Sequence, residues 1–180
     1  IAIDLPPELK QKIADFISQW RWLPIRWLRP ENWHITLVPP IYLEDRELES
    51  LTLLLKKSRL GQTFFVKFSR ISLAPPGVQA RMIWLEGETP PELARLKNKL
   101  GRIWPRKPEL PRPKYENRPF RLHVTLARFE PGDLRELEEK TRVLGEVNFN
   151  FDARDIAVVE SRLKPSGSEY ETLRIIQLAA

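Results

Sequence analysis

Apolar residues along the chain recur with two different periods, and their distribution predicts a domain of mixed helices and strands. Four segments carry apolar residues at helical spacing, and they lie at about 6–20, 44–60, 90–103 and 133–143. Seven segments alternate or are continuously apolar as strands are, and they lie at about 1–4, 33–38, 63–72, 81–86, 120–129, 149–163 and 170–178. Helices and antiparallel strands in one chain indicate the α+β class.

The order of these segments is similar in the two halves of the chain. The first half reads strand, helix, strand, helix, strand, strand, and the second half roughly repeats it after a proline-rich basic loop at 105–119. With 180 residues, 42% of them hydrophobic, the chain is long enough for one domain with a substantial core. We therefore expect a single domain over residues 1–180 with two similar lobes.

Charge and cysteine content limit the kinds of partner and chemistry that this protein can have. The chain has a formal net charge of +6 and no cysteine, so it has neither disulfides nor a thiolate nucleophile. A positive balance favours an anionic polymer as partner. The basic residues are concentrated between Arg102 and Arg128, beside one of the two histidines. No apolar run approaches the length of a membrane span and no signal-peptide layout is present, so we expect a cytoplasmic protein without membrane attachment.

The two histidines of the chain, His34 and His123, each begin a similar tetrapeptide, H-I-T-L and H-V-T-L. Side chains of a strand alternate between its faces, so each imidazole shares a face with a threonine hydroxyl, that of Thr36 or Thr125. If the two strands face each other across a cleft, two imidazoles can transfer protons while two hydroxyls donate to phosphate oxygens. The pair therefore indicates acid–base phosphoryl chemistry.

Other uses of these histidines are weaker. A single histidine on a strand is more often structural than catalytic, and it is the matched second copy that favours catalysis. A zinc site would need further ligands, and neither segment has a carboxylate suitably placed on its strand. We expect no metal and no other cofactor.

With these motifs the sequence resembles the two-histidine phosphoesterases, and within them the RNA 2′,3′-cyclic phosphodiesterases historically called 2′-5′ RNA ligases. The likeness extends over nearly the whole chain, through segments 1–6, 27–37, 81–84, 119–128 and 161–170. It implies two lobes of antiparallel sheet flanked by helices, which form a V-shaped cleft with one His-x-Thr motif on each side.

The resemblance also implies the reaction and the site. Such enzymes hydrolyse a cyclic phosphodiester to a 2′-phosphate without metal, and some join or cleave 2′-5′ linkages in tRNA fragments. His123 would be the base that activates water and His34 the acid, although the sequence leaves exchanged roles open. Thr36 and Thr125 would bind the phosphate, and Arg128 would steady the charge that develops on it. The expected partners are RNA ends or tRNA fragments with a 2′,3′-cyclic phosphate, bound by a monomer.

Two alternatives stay open. One is an RNA-binding module that does not turn over, and the other is the same chemistry on small cyclic nucleotides. The second is favoured by Pro39 and Pro40, which follow the first motif where the family usually has an apolar pair and Gly.

None of the tryptophans is assigned to the site. We expect Trp33 and Trp84 in the core, and Tyr170 to shape the last turn. A cluster of Trp20, Trp22 and Trp27 is expected to pack together, and Tyr42 and Tyr115 are candidates for stacking on a base.

Overall fold

The computed structural model describes residues 1–104, 111, 113, 120–130, 144–164 and 167–180. In these residues it contains three α-helices and nine strands, and the strands form two antiparallel sheets. The helices are α1 (Pro7–Ile17), α2 (Asp45–Lys57) and α3 (Pro91–Ile103). The strands are β1 (Ala2–Asp4), β2 (Arg26–Trp27), β3 (His34–Thr36), β4 (Phe64–Ala74), β5 (Met82–Glu86), β6 (His123–Arg128), β7 (Gly145–Ala153), β8 (Asp155–Lys164) and β9 (Gly167–Gln177).

The two sheets each combine strands from both ends of the chain. The first sheet has the order β3-β1-β8-β9 and the second has the order β2-β6-β5-β4-β7. All the pairings within them are antiparallel. The α+β class and the two antiparallel sheets expected from the sequence are confirmed. The two sheets do not correspond to the two halves of the sequence, because the first joins the N-terminal β1 and β3 to the C-terminal hairpin.

The helices begin where the sequence predicts. Proline occupies the first turn of α1 and α3. Backbone N–H groups in the first turn have no partner within the helix, so the missing N–H of proline costs no hydrogen bond there. The helix α2 begins with a capping box, in which the Glu44 backbone N–H donates to the Glu47 carboxylate at 2.6 Å. Apolar residues three or four apart then bury one face of each helix, as Leu93, Leu96 and Leu100 do in α3.

Most of the described apolar side chains join one hydrophobic core. Trp33 and Phe68 are among its largest fully buried members, as expected for Trp33. The helix α1 lies against β7, where Phe16 meets Phe149 edge-on with ring centroids 5.8 Å apart. Trp22, by contrast, is 63% exposed, so its expected place in a packing cluster was wrong.

Two elements differ from the sequence-based prediction. The segment predicted as one strand over 149–163 is the end of β7 and most of β8, separated by Arg154, and these strands belong to different sheets. The alternation over 149–153 breaks at Arg154 and Asp155, two consecutive polar residues, and this signal of the change of sheet was missed. The two-residue strand β2 was not predicted, because so short a run has no measurable period.

Two predictions lie outside the described residues. They are the helix at 133–143 and, except for residues 111 and 113, the basic loop at 105–119. In the part of the chain that the structure describes, no helix is both long and apolar enough to cross a membrane.

Candidate active site

The strands that carry the two histidines belong to different sheets but contact each other. The first sheet ends in β3 with His34, and β6 with His123 lies next to the edge of the second sheet. The predicted alternation is present in both strands. His34 and Thr36 are partly exposed around the buried Ile35, and His123 and Thr125 likewise flank the buried Val124. The junction of the two sheets therefore brings the His-x-Thr segments close together.

Both imidazoles are oriented by the same backbone contact. The Nδ1 of His34 lies 2.9 Å from the carbonyl oxygen of Asn32, and the Nδ1 of His123 lies 3.0 Å from that of Arg121. A carbonyl oxygen can only accept, so each Nδ1 carries the hydrogen. In the neutral ring this leaves the lone pair on Nε2, which is the nitrogen that can exchange a proton with a substrate.

His34 is near an aromatic ring and a charged pair. The ring of Tyr170 meets it edge-on, with centroids 4.8 Å apart and planes inclined by 70°. Asp4 is directly opposite His34 in the β1–β3 register and forms an ion pair with Lys10 at 2.7 Å. Burial lowers the pKa of His34, although the Asn32 carbonyl and the charge of Asp4 act in the opposite direction. The neutral imidazole is therefore favoured in the free protein.

The first histidine segment is tied to the C-terminal hairpin. The side-chain amide of Asn32 donates to the backbone carbonyl of Ser168 at 2.8 Å. Because the Asn32 carbonyl accepts from His34, Asn32 connects the imidazole of His34 to β9. A short turn over residues 30–32 places both groups.

His123 lies on the face of an indole. Its ring stacks on that of Trp84, with centroids 3.9 Å apart and planes inclined by 22°. Directly opposite His123 in the β5–β6 register is Glu86, a buried carboxylate. Both neighbours come from β5, and they are two residues apart, so they share the face of the sheet on which His123 lies.

The Glu86 carboxylate is held by the next strand of the sheet. One of its oxygens, Oε1, accepts from Arg70 Nε at 3.1 Å, from Arg70 Nη2 at 2.5 Å and from the Ser72 hydroxyl at 2.6 Å. Burial alone would raise the pKa of Glu86, but these hydrogen bonds and the charges of Arg70 and Arg121 outweigh it and lower that pKa. An ionised carboxylate therefore lies beside His123.

Arg128 reaches the same face because β6 is irregular. Thr125 lies opposite Trp84 and Arg128 opposite Met82, with a register shift that leaves Leu126 as an extra residue. Strict alternation would put residues 123 and 128 on opposite faces of the strand. The bulge restores Arg128 to the face that carries His123 and Thr125.

The sequence of the protein matches a known protein family. The family model described as the 2′-5′ RNA ligase superfamily matches residues 7–164, which is most of the chain. The chain belongs to the 2′-5′ RNA ligase superfamily. The family resemblance seen in the sequence is thus confirmed.

Individual relatives align with nearly the full length of this chain. The protein is 26% identical over 179 residues to an RNA 2′,3′-cyclic phosphodiesterase of Methanocaldococcus jannaschii, an alignment that covers 97% of this chain and 96% of the relative. It is 23% identical over 186 residues to a protein of the same name from Archaeoglobus fulgidus, with 98% of each covered. Its fold matches the crystal structure of E. coli LigT complexed with 3′-AMP at a TM-score of 0.76 and 22% identity, covering 99% of this chain and 96% of the other.

For this member of the superfamily, sequence reasoning missed two aromatic neighbours of the histidines. Trp84, expected in the core, stacks on His123, and Tyr170, expected only to shape a turn, contacts His34. A signal for Trp84 was available, because Glu86 two residues later marks that face of β5 as polar. Tyr42 is 96% exposed, and Tyr115 lies outside the described residues.

The side chains that commonly bind metal ions in proteins are His, Asp and Glu, since this chain has no cysteine. Within the described part of the chain, no three His, Asp or Glu side chains come together in a way that could hold an ion.

Proposed function

We propose that this protein is a metal-independent RNA 2′,3′-cyclic phosphodiesterase that leaves a 2′-phosphate. The observation that carries the proposal is the matched pair of imidazoles, each fixed through Nδ1 to the carbonyl two residues before it. Each ring thereby leaves Nε2 for the substrate. Membership of the superfamily and the names of the two archaeal relatives support the same reaction.

The proposed reaction is an in-line attack of water on the cyclic phosphorus. One imidazole takes a proton from water as its oxygen bonds to phosphorus, the bond from phosphorus to O3′ breaks, and the other imidazolium gives O3′ a proton. The products are a 2′-phosphate and a free 3′ hydroxyl. We propose His123 as the base and His34 as the acid, as the resemblance implies.

The acid role requires that His34 be protonated when substrate is bound. Burial favours its neutral form in the free protein. A phosphodiester carries a negative charge, and an opposite charge within a few ångströms raises the pKa of an imidazole. We propose that the bound substrate supplies this charge, so that His34 gains its proton on binding.

Three further side chains would bind the phosphate. The hydroxyls of Thr36 and Thr125 share strand faces with the two histidines, and we propose that they donate to its non-bridging oxygens. Arg128, on the same face as Thr125, would stabilise the charge that develops there, as a preorganised cation does.

The proposed substrates are RNA ends or tRNA fragments in the cytoplasm, bound by a monomer. Joining of 2′-5′ linkages would open the same cyclic phosphate with the 5′ hydroxyl of a second RNA in place of water. Its oxygen would bond to phosphorus and lose its proton to the base, while the bond to O3′ breaks and O3′ gains a proton from the acid. An RNA-binding module without turnover and an enzyme for small cyclic nucleotides are the alternatives.

The decisive experiment is hydrolysis of a short RNA that ends in a 2′,3′-cyclic phosphate, with a chelator present, and with 2′- and 3′-phosphate products resolved. The 2′-phosphate is the expected product, at a rate that the chelator does not change. Tight binding without turnover would support the binding module instead. A loss of activity that added zinc or magnesium restores would overturn metal independence.

A further inference from the structure

Three arginines, Arg26, Arg81 and Arg128, line one cavity of about 340 Å³ at the end of β6. The other residues that line it are Pro24, Ile25, Phe129 and Glu130. Within the described part of the chain, no ion pair or hydrogen bond engages the guanidinium group of any of the three. Among the described residues that line the cavity, Glu130 supplies the one carboxylate beside the three positive charges.

The cavity shares Arg128 with the candidate active site. Arg26 lies directly opposite Arg128 in the β2–β6 register, so both point to the face that carries Thr125 and His123. On the neighbouring strand β5, the partners of Arg128 and Thr125 are two residues apart, or about 7 Å along the strand. This separation is comparable with that of neighbouring phosphates in an extended nucleic-acid strand.

The chemistry of the cavity matches a phosphate group. Guanidinium groups present planar forks of N–H donors that bind phosphate oxygens in pairs. Like charges brought together without a partner repel each other, and an anion bound between them removes this repulsion. A phosphodiester is the anion that would recur beside the reacting phosphate of an RNA end.

We propose that Arg26 and Arg81, together with Arg128, bind the phosphate on the 5′ oxygen of the nucleotide whose 2′,3′-cyclic phosphate is hydrolysed. This subsite rests on the proposed function, and it makes RNA ends better substrates than a nucleoside cyclic phosphate without a 5′-phosphate. Arg128 lies between the subsite and the reacting phosphate, whereas Arg26 and Arg81 act only on the 5′-phosphate.

The test compares kcat/KM for four substrates with the unaltered protein. They are adenosine 2′,3′-cyclic phosphate, the same compound with a 5′-phosphate, and a dinucleotide with a terminal cyclic phosphate whose internucleotide linkage is either a phosphodiester or a neutral methylphosphonate. The charged forms are expected to be better by about tenfold or more, since a hydrogen bond to a charged group is worth at least about one power of ten. Equal values for charged and neutral forms would overturn the subsite while leaving the proposed function intact.

Variants then locate the effect. In Arg26→Gln and Arg81→Gln the advantage of the charged over the neutral linkage is expected to fall by about tenfold. Arg26→Lys, which keeps the charge without the fork, should retain part of it. Arg46→Gln on α2, an exposed arginine outside the cavity, is the matched control and should keep the full advantage. An advantage that persists in both Gln variants would overturn the assignment, and no hydrolysis of any substrate would overturn the proposed function as well.

Discussion

The imidazole of His123 stacks on the indole of Trp84, with ring centroids 3.9 Å apart and planes inclined by only 22°. This contact and the hydrogen bond from Nδ1 to the Arg121 carbonyl together fix both the plane and the rotation of the ring. Its counterpart, His34, has an edge-on tyrosine instead. The two histidines are therefore held by the same kind of backbone hydrogen bond but contact different aromatic side chains.

Trp84→Leu is expected to lower kcat/KM for a cyclic phosphate end by at least about threefold. An aromatic pair is worth about 1 kcal/mol beyond its buried area, and misplacement of a catalytic ring slows proton transfer. Trp84→Phe should retain most of the rate because it keeps a ring under the imidazole. Trp22→Leu, which removes an indole that is 63% exposed, is the control. Unchanged activity in Trp84→Leu would contradict a positioning role.

Replacing either histidine by Ala should reduce kcat by about 10²- to 10⁴-fold, the usual contribution of a positioned acid or base. Both rings are partly exposed, so the far-UV circular dichroism and the melting temperature are expected to change little. In the double variant the two losses should not add fully, since the pair acts as a unit. Near-normal rates in both single variants would exclude the mechanism.

The pKa of His34 can be measured directly, because the chain has two histidines and His123→Ala leaves one imidazole to follow by NMR. In the free protein it is expected below the ordinary value of 6.5, since burial disfavours the charged ring. Inorganic phosphate should raise it, as the proposed acid role requires. A pKa that phosphate leaves unchanged would contradict protonation of His34 on substrate binding.

Glu86→Gln is expected to destabilise the protein by about 1–3 kcal/mol at pH 7, because the amide oxygen of Gln still accepts hydrogen bonds but lacks the negative charge that pairs with Arg70. The pKa of Glu86 is lowered from 4.5 in the folded state, so its contribution is present above that value and disappears as the pH falls through the lowered pKa. The difference between variant and parent in urea unfolding should therefore shrink in acid. Glu49→Gln, at an exposed site on α2, serves as the control, and a difference independent of pH would contradict the ionised state.

Arg128→Gln is expected to lower kcat by about 10²- to 10³-fold, the effect of removing one preorganised donor from a developing charge. Arg128→Lys should recover part of this loss because it keeps the charge but not the fork. Since the Arg128 side chain is exposed, the melting temperature of the protein should change little in either variant. A loss confined to KM in Arg128→Gln would place the arginine in ground-state binding alone.

Local features of the fold were largely predictable from the sequence. Prolines at helix starts, the spacing of Leu93, Leu96 and Leu100, and the alternation around Ile35 and Val124 are each encoded within a few residues. The same holds for the candidate site, because each His-x-Thr segment places its imidazole and hydroxyl on one face through strand geometry alone.

The sequence by itself thus determined the α+β class, most helices and strands, and the pairing of His34 with Thr36 and of His123 with Thr125. The tertiary structure decided which strands share a sheet, and therefore that Glu86 and Trp84 lie beside His123. It also decided, through the bulge at Leu126, that Arg128 faces the site rather than the core. These relationships depend on cross-strand register, which is set by packing between segments far apart in the chain and has no local signature.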